Sequence, residues 1–383
     1  MPTECAELVA ARHMVPEIRA RAAEAEAARQ LPEEIVRDFA EAGLIQMAVP
    51  KEYGGLESHA LDLLRVMEEI SYADGSAGWV LMNYQTTALV SGLLPKQWGE
   101  AIFASEERAV PAGVLSLTGR GKRVDGGIVV SGRWGFGSGG PGANWVLGAA
   151  VMEQPADAGP EAKAEVLLPM FPREDVVIHD TWHVSGLCGT GSHDVEVKDV
   201  FVPEGRWVSL VGPPTVETTL YQVPIISLFP PCVVAVSIGI ARAALECFEK
   251  LAEAKVPNLS KKRLAERAGA QIDFAKAEAL IDSGRSYVFE ATDALWEEVA
   301  RGEPARTDTR RRARLASAHA AESAARAVDL LYTAAGTSAI FSDHPLQRHW
   351  RDIHATTQHV QISPSTFENM GRLRLTGILE GPF

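Results

Sequence analysis

Cysteine, positive charge and uninterrupted apolar runs are all scarce in this chain of 383 residues. The four cysteines, Cys5, Cys188, Cys232 and Cys247, form no CxxC pair. That spacing argues against a zinc knuckle and a disulfide framework, and it fits a reducing, cytoplasmic setting. Cations are outnumbered, and the formal net charge is −13. Nucleic acid and an anionic membrane surface are therefore poor partners. The most apolar window, Val223–Ala244, is interrupted by Pro224, Pro230 and Pro231. It reads as a buried helix entered through a proline-rich turn rather than as a membrane span. The start, MPTECAELVA, lacks a basic region followed by an apolar core, so no secretory signal is expected.

What is present is ordinary for a globular protein with sizeable cores: 46% hydrophobic and 23% charged residues. The length sets a prior of two or three domains. Apolar residues recur at helical spacing over 4–30, and Leu31-Pro32-Glu33-Glu34 opens a second helix that Gly43 closes. Further helices are expected over 58–73, 76–93 and 95–104. From Ala109 to about Leu210 the texture changes to short β-branched runs. Val124–Val130 reads as a hairpin with Asp125-Gly126 at its tip, and strands are expected at Trp145–Met152, Glu165–Pro169, Val176–His179 and Val195–Val202. A polar loop is expected over Gln154–Ala164. Helical periodicity returns over 229–255, 260–301, 308–335 and 345–375, enough for a four-helix bundle. The expected architecture is α+β: helices over 1–108, a β-barrel or sandwich over 109–212, and a bundle over 213–383.

The stretch Ser131–Gly142, SGRWGFGSGGPG, is the most informative. Glycines let backbone approach a flat ligand, Trp134 and Phe136 offer apolar walls, and Ser138 offers a hydroxyl. Gly135–Gly140 is a literal GxGxxG, but Pro141-Gly142-Ala143-Asn144 and an apolar strand follow where a dinucleotide fingerprint needs a helix. The Rossmann reading is rejected. The GxSxG nucleophile elbow is also absent, because position 136 is Phe. His179, Asp180, His183, His193 and Asp194 cluster in sequence but match no metal-ligand spacing, so no metal is expected. The Arg310–Arg314 run reads as a solvated or intersubunit face. His354 and His359, read on one helix, would point about 140° apart and could not share a pocket. Either, aimed into a pocket, would be a natural acid or base near neutral pH.

The order of segments and several motifs resemble the acyl-CoA dehydrogenase superfamily over essentially the whole chain. Asp74-Gly75-Ser76-Ala77-Gly78-Trp79 resembles its ADxSxGW stretch. Trp182–Ser192, ending in Val200-Phe201-Val202-Pro203, resembles its W-x-x-x-G-x-R-G-T-G-S…FVP segment, with Cys188 in place of the usual Arg. Within the superfamily the chain is similar to the two-component flavin-dependent monooxygenases, the class of p-hydroxyphenylacetate and secosteroid phenol hydroxylases. An acyl-CoA dehydrogenase would carry a catalytic Glu near Val360, counting from Arg351-Asp352, and valine cannot abstract a proton. The monooxygenases place a His in this segment, matched by His359. Their W-x-F-x-S-G stretch is matched by Trp134, Phe136, Ser138 and Gly139.

The resemblance implies a homotetramer that takes reduced flavin, FMN or FAD, from a separate NAD(P)H:flavin reductase. Molecular oxygen would add to give a flavin C4a-hydroperoxide that hydroxylates an aromatic or heteroaromatic small molecule. Ser138 and His359 would be catalytic. Trp134, Phe136, Ser138, Ser192, Lys255, Lys261, Gly336 and Thr337 would bind the cofactor, the last two from a neighbouring subunit. Tyr84, Ser116 and His359 would contact substrate. An N-hydroxylase of an amine or amino sugar, an acyl-CoA dehydrogenase and a non-enzymatic scaffold remain alternatives at this level.

Overall fold

The structure is a computed structural model and describes residues 4–154 and 164–379. Residues 155–163, nearly all of the expected polar loop, lie outside the described residues. Five helices come first: α1 (Ala6–Ala28), α2 (Glu33–Glu41), α3 (Ala60–Ala73), α4 (Gly75–Ala88) and α5 (Lys96–Phe103). Seven strands follow: β1 (Pro111–Val124), β2 (Gly127–Trp134), β3 (Trp145–Met152), β4 (Val166–Pro172), β5 (Val177–His179), β6 (Asp194–Pro203) and β7 (Trp207–Val208). The chain closes with α6 (Thr219–Gln222), α7 (Ile225–Ala254), α8 (Ala268–Ala300), α9 (Thr307–Ala335), α10 (Pro345–Thr356) and α11 (Ser365–Thr376).

The strands form one mixed sheet, in the order β5-β6-β2-β1-β3-β4-β7. The β1–β3 pair is parallel and the other neighbours are antiparallel. Val124 faces Gly127 across the β1–β2 hairpin, which puts Asp125-Gly126 at the tip, with Gly126 at φ 74°. Among the described residues the sheet is open in this order, where a barrel would pair β5 with β7.

Among the described residues the buried apolar side chains form two clusters. One is confined to the sheet and holds Ile128, Val130, Trp134, Phe171, Val195 and their neighbours. The other runs continuously from the first helices into the last ones. Helix α7 is its centre, packed against α3, α8, α9 and α10. Close approach explains its glycine: a Cβ on Gly239 would lie 2.3 Å from the Glu68 carbonyl oxygen of α3. Beside it, the buried Glu68 carboxylate accepts from Arg242 at 2.7 Å and Arg285 at 2.9 Å, which ties α3 to α7 and α8. Helix α7 is long and apolar enough to cross a bilayer, but 83% of its most apolar window is buried inside the protein.

Two boundaries differ from the sequence reading. Helix α8 starts at Ala268, after a short 3-10 turn at Leu264–Glu266, rather than at 260. The single helix expected over 345–375 is broken between Thr356 and Ser365. Pro364 disfavours helix for the residue before it, and the hydroxyls of Thr356 and Thr357 turn back onto the carbonyls of Ile353 and His354. His359 therefore leaves the helix. It becomes the N-cap of a 3-10 turn, Val360–Ile362, and is released from the angular relation to His354.

Candidate active site

The loop after β2 is built by unusual backbone. Phe136 has φ 67° and Gly139 φ 74°. Gly137 N–H donates to the His193 carbonyl at 3.0 Å, and Gly139 N–H to that of Thr190 at 2.8 Å. A Cβ on Gly137 would lie 2.9 Å from the His193 carbonyl oxygen, so the two loops can be laced this closely only through glycine. Tyr84 is fully buried and donates its hydroxyl to the Gly139 carbonyl at 2.7 Å. Its expected substrate contact is corrected: Tyr84 props the loop from behind.

Trp134 requires a second correction. It is 0% exposed and its indole N–H donates to the Ala149 carbonyl at 2.8 Å. A Cβ on Gly119, Gly132 or Gly148 would fall 2.5, 2.7 or 2.8 Å from its ring. These glycines of β1, β2 and β3 form a slot for the indole inside the sheet, so Trp134 cannot wall a bound ring. Phe136 is 72% exposed and meets Trp182 edge-on, with centroids 5.9 Å apart.

Three motifs that are far apart in sequence converge on the loop 185–192. The buried Asp352 carboxylate accepts from Leu187 N–H at 2.6 Å. Ser76 Oγ accepts from Gly189 N–H at 3.1 Å. Arg351 donates to the Ser185 carbonyl and to Glu26 Oε1, the latter at 2.6 Å. A Cβ on Gly186 would lie 2.2 Å from the Arg351 carbonyl oxygen, so α10 and this loop are in backbone contact. Cys188 places its sulfur 4.0 Å from Arg351 Nη1. Burial, with the nearby Asp74 charge, pushes the Asp352 carboxyl up to about 7.

Ser138 sits where the two loops meet, 4% exposed. Its Oγ lies 2.7 Å from Ser192 Oγ, which lies 2.6 Å from Thr190 Oγ1. Trp79 Nε1–H donates to Ser138 Oγ at 3.1 Å. The other face of the Trp79 contact is His359, edge-on at 5.6 Å between centroids. Burial drives the His359 imidazole down to about 4, so it is neutral at physiological pH. Its Nδ1 accepts from Gln361 N–H at 3.3 Å, which assigns the proton of the neutral ring to Nε2. Gln361 Oε1 is buried without a hydrogen-bond partner. Val360, where a dehydrogenase base would stand, is 69% exposed and carries no titratable group.

Other expected residues lie elsewhere. Lys255 Nζ donates to the Ala335 carbonyl at 2.8 Å and stands against Gly336, so Lys255, Gly336 and exposed Thr337 form a second cluster. Lys261 is exposed beyond α7, and Ser116 is exposed on β1 where its pairing with β3 shifts register. His354 bonds Asp329 at 2.9 Å. In the His–Asp cluster, Arg29 engages Asp180, and His193 Nδ1 accepts from the backbone of Thr181 and Trp182 at 3.2 and 3.1 Å. His179 pairs with Glu196 at 2.6 Å. Sequence reasoning gave no role to Trp79, Thr190, Asp352 or Gln361. The first three stand inside the motifs quoted above, which was the available signal.

A neutral hydroxyl, an indole, a neutral imidazole and an open amide acceptor suit a flat heteroaromatic ligand better than an anion or a metal ion. Comparison with known proteins gives the same class. Residues 7–97 match the acyl-CoA dehydrogenase N-terminal domain and residues 232–364 its C-terminal domain. Indole-3-acetate monooxygenase of Pseudomonas putida is 33% identical over 355 residues, 93% of this chain and 90% of that protein. The oxygenase subunit HsaA of a Rhodococcus jostii flavin-dependent monooxygenase is 30% identical over 368 residues, 92% of this chain and 93% of that one. The crystal structure of 3-HSA hydroxylase from Rhodococcus sp. RHA1 superposes with a TM-score of 0.91 at 26% identity, covering 99% of this chain and 98% of that one. The fold and site thus define an acyl-CoA dehydrogenase-fold oxidoreductase. Within that superfamily, the chain belongs to the two-component flavin-dependent monooxygenases, which use reduced flavin made by a separate reductase.

Proposed function

We propose that this chain hydroxylates an aromatic or heteroaromatic small molecule beside Ser138 and His359, the two residues that Trp79 links. The observation that carries the reading is Trp79, which bonds Ser138 at 3.1 Å and contacts the His359 ring at 5.6 Å. Indole-3-acetate monooxygenase, named above, supports a ring-bearing substrate. Bound reduced flavin supplies the two electrons that activate molecular oxygen. One oxygen atom enters the product and the other leaves as water.

The chain's own residues orient the ligand. Ser138 holds a polar edge of the ligand. Neutral His359 presents Nε2–H as a donor. Lys255, with Gly336 and Thr337, would take the flavin phosphates across a contact with a neighbouring copy. The exposure of Ile340 and Phe341 beside that cluster, 66% and 62%, supports a contact with another copy there, which the homotetramer of this reading requires. The reading covers FMN and FAD alike. The four cysteines are all free, which supports a cytoplasmic location.

The test is oxygen uptake with chemically reduced FMN or FAD and a panel of phenols and indoles, with products read by mass. A hydroxylated product formed in proportion to oxygen consumed supports the reading. Bleaching of a tightly held oxidised flavin by an acyl-CoA, with no hydroxylation, overturns it.

A further inference from the structure

The Arg310–Arg314 run, expected as a solvated or intersubunit face, departs from that pattern at its first residue. Arg311 and Arg312 turn to carboxylates, Asp308 at 2.9 Å and Glu290 at 2.6 Å. Arg310 is half-buried and lines a cavity of about 360 Å³, where α4 ends and α7 and α9 begin. Leu89, Leu93, Leu220, Ile226 and Leu228 supply its apolar walls. Among the described residues that line it, none is acidic and Arg310 is the one cation.

The walls are held by bonds outside the cavity. Thr215 Oγ1 donates to the Leu94 carbonyl at 2.7 Å, which pins the connector between β7 and α6 to the stretch after α4. The Tyr221 hydroxyl donates to the Ala48 carbonyl at 2.6 Å. Its ring packs so closely on Gly92 that a Cβ there would fall 2.2 Å away. Arg310 Nε donates to Ser227 Oγ at 3.0 Å, which sets the guanidinium beside the first turn of α7. Burial pushes that guanidinium below its ordinary value.

A cation in an apolar wall selects its ligand by two features. The charge favours an anion, and the planar guanidinium suits the two oxygens of a carboxylate. The walls favour a hydrocarbon body, and the volume falls within the range of small-molecule pockets, about 300–1,000 Å³. One guanidinium balances a single negative charge, whereas a phosphate dianion would leave an unbalanced charge among leucines.

We infer that this cavity is a second small-molecule site, one that takes a small apolar monocarboxylate with its carboxylate on Arg310. It is separate from Ser138 and His359. Trp79 and Leu89 are roughly 15 Å apart along α4. Along α7 the same roughly 15 Å separates Ser227 from Ser237, whose Oγ meets Thr356 Oγ1 at 2.8 Å just before the helix break. The inference therefore stands or falls independently of the hydroxylation reading.

The test is calorimetric titration of the full chain, without turnover, with phenylacetate and with phenylacetamide, its uncharged isostere. Wild type should bind the acid about tenfold more tightly than the amide, the worth of a charge-assisted hydrogen bond. Arg310→Met should bring that ratio close to one. Leu93→Trp fills the cavity and leaves Arg310 intact, so it should abolish binding of both, and it decides the matter should Arg310→Met fold poorly. The preference should survive in His359→Ala. Four results overturn the inference: no saturable binding of the acid to wild type, equal affinity for acid and amide, a ratio unchanged in Arg310→Met, or binding that persists in Leu93→Trp. A preference that disappears in His359→Ala also overturns it, by putting the acid beside His359 instead.

Discussion

Trp79 joins Ser138 to His359: its indole N–H bonds the serine oxygen at 3.1 Å and its ring meets the imidazole edge-on at 5.6 Å. The three residues come from α4, the loop after β2 and the break between α10 and α11. One side chain thus couples all three segments of the fold.

Trp79→Phe keeps the apolar ring and deletes the donor. The buried Ser138 oxygen loses a partner, at a cost of about 1 kcal/mol. Product formed per oxygen consumed should fall, with hydrogen peroxide rising to match, and both can be read in one oxygen-uptake assay. Unchanged coupling would show that the indole N–H does not support Ser138.

His359→Ala should lower hydroxylated product by about tenfold to a hundredfold, a typical range for loss of one proton-handling side chain. Reduced-flavin affinity should change less. Because burial holds the wild-type imidazole near 4, its neutral form persists from pH 5 upward. The wild-type rate should therefore show no inflection near the ordinary imidazole value of about 6.5. A clear inflection there that disappears in His359→Ala would contradict this.

Stability should depend on pH through two opposed groups. His349 and His359 are pushed down to about 3 and about 4 by burial. The unfolded chain then binds more protons, so stability falls as pH drops through about 6.5 toward 4. Asp352 is pushed up to about 7, so its contribution is complete at low pH and is lost as pH rises toward 7. His349→Gln should flatten the acid side of the curve and Asp352→Asn the neutral side. Urea midpoints from pH 4.5 to 8 would display both effects.

Trp134→Ala should cost about 3–5 kcal/mol of stability, as for a large aromatic removed from a packed core. Trp134→Phe should cost less and leave flavin affinity near wild type, since the ring lies inside the sheet. Loss of flavin affinity in a stably folded Trp134→Phe would return Trp134 to the site.

Gly186→Ala places a methyl 2.2 Å from the Arg351 carbonyl oxygen. The loop 185–192 must then separate from α10, costing about 1–3 kcal/mol or more. The Asp352–Leu187 bond should loosen with it, detectable as faster exchange of the Leu187 amide.

Much of this fold was legible in the sequence because its signals are local. Helical periodicity, the Asp125-Gly126 tip and the return of long apolar helices each depend on neighbouring residues. The convergence of the 74–79, 186–192 and 351–352 stretches was legible only as a resemblance. Trp134 misled because glycines around an aromatic have two physical readings, a ligand cradle and room for a core indole. The second depends on Gly119 and Gly148, which reach Trp134 through strand pairing that no local pattern displays. Tyr84 failed similarly, since its hydroxyl is spent on a carbonyl 55 residues away. His359 was found by position, but its place depends on the helix break before Pro364.

The most direct measurement is a turnover under 18O2 with reduced FMN or FAD and an aromatic substrate from the panel. The account predicts one labelled oxygen atom in the product of the wild-type chain. It predicts that His359→Ala and Ser138→Ala divert most of the label to hydrogen peroxide. Unlabelled product, or labelled product formed equally well by both variants, would contradict it.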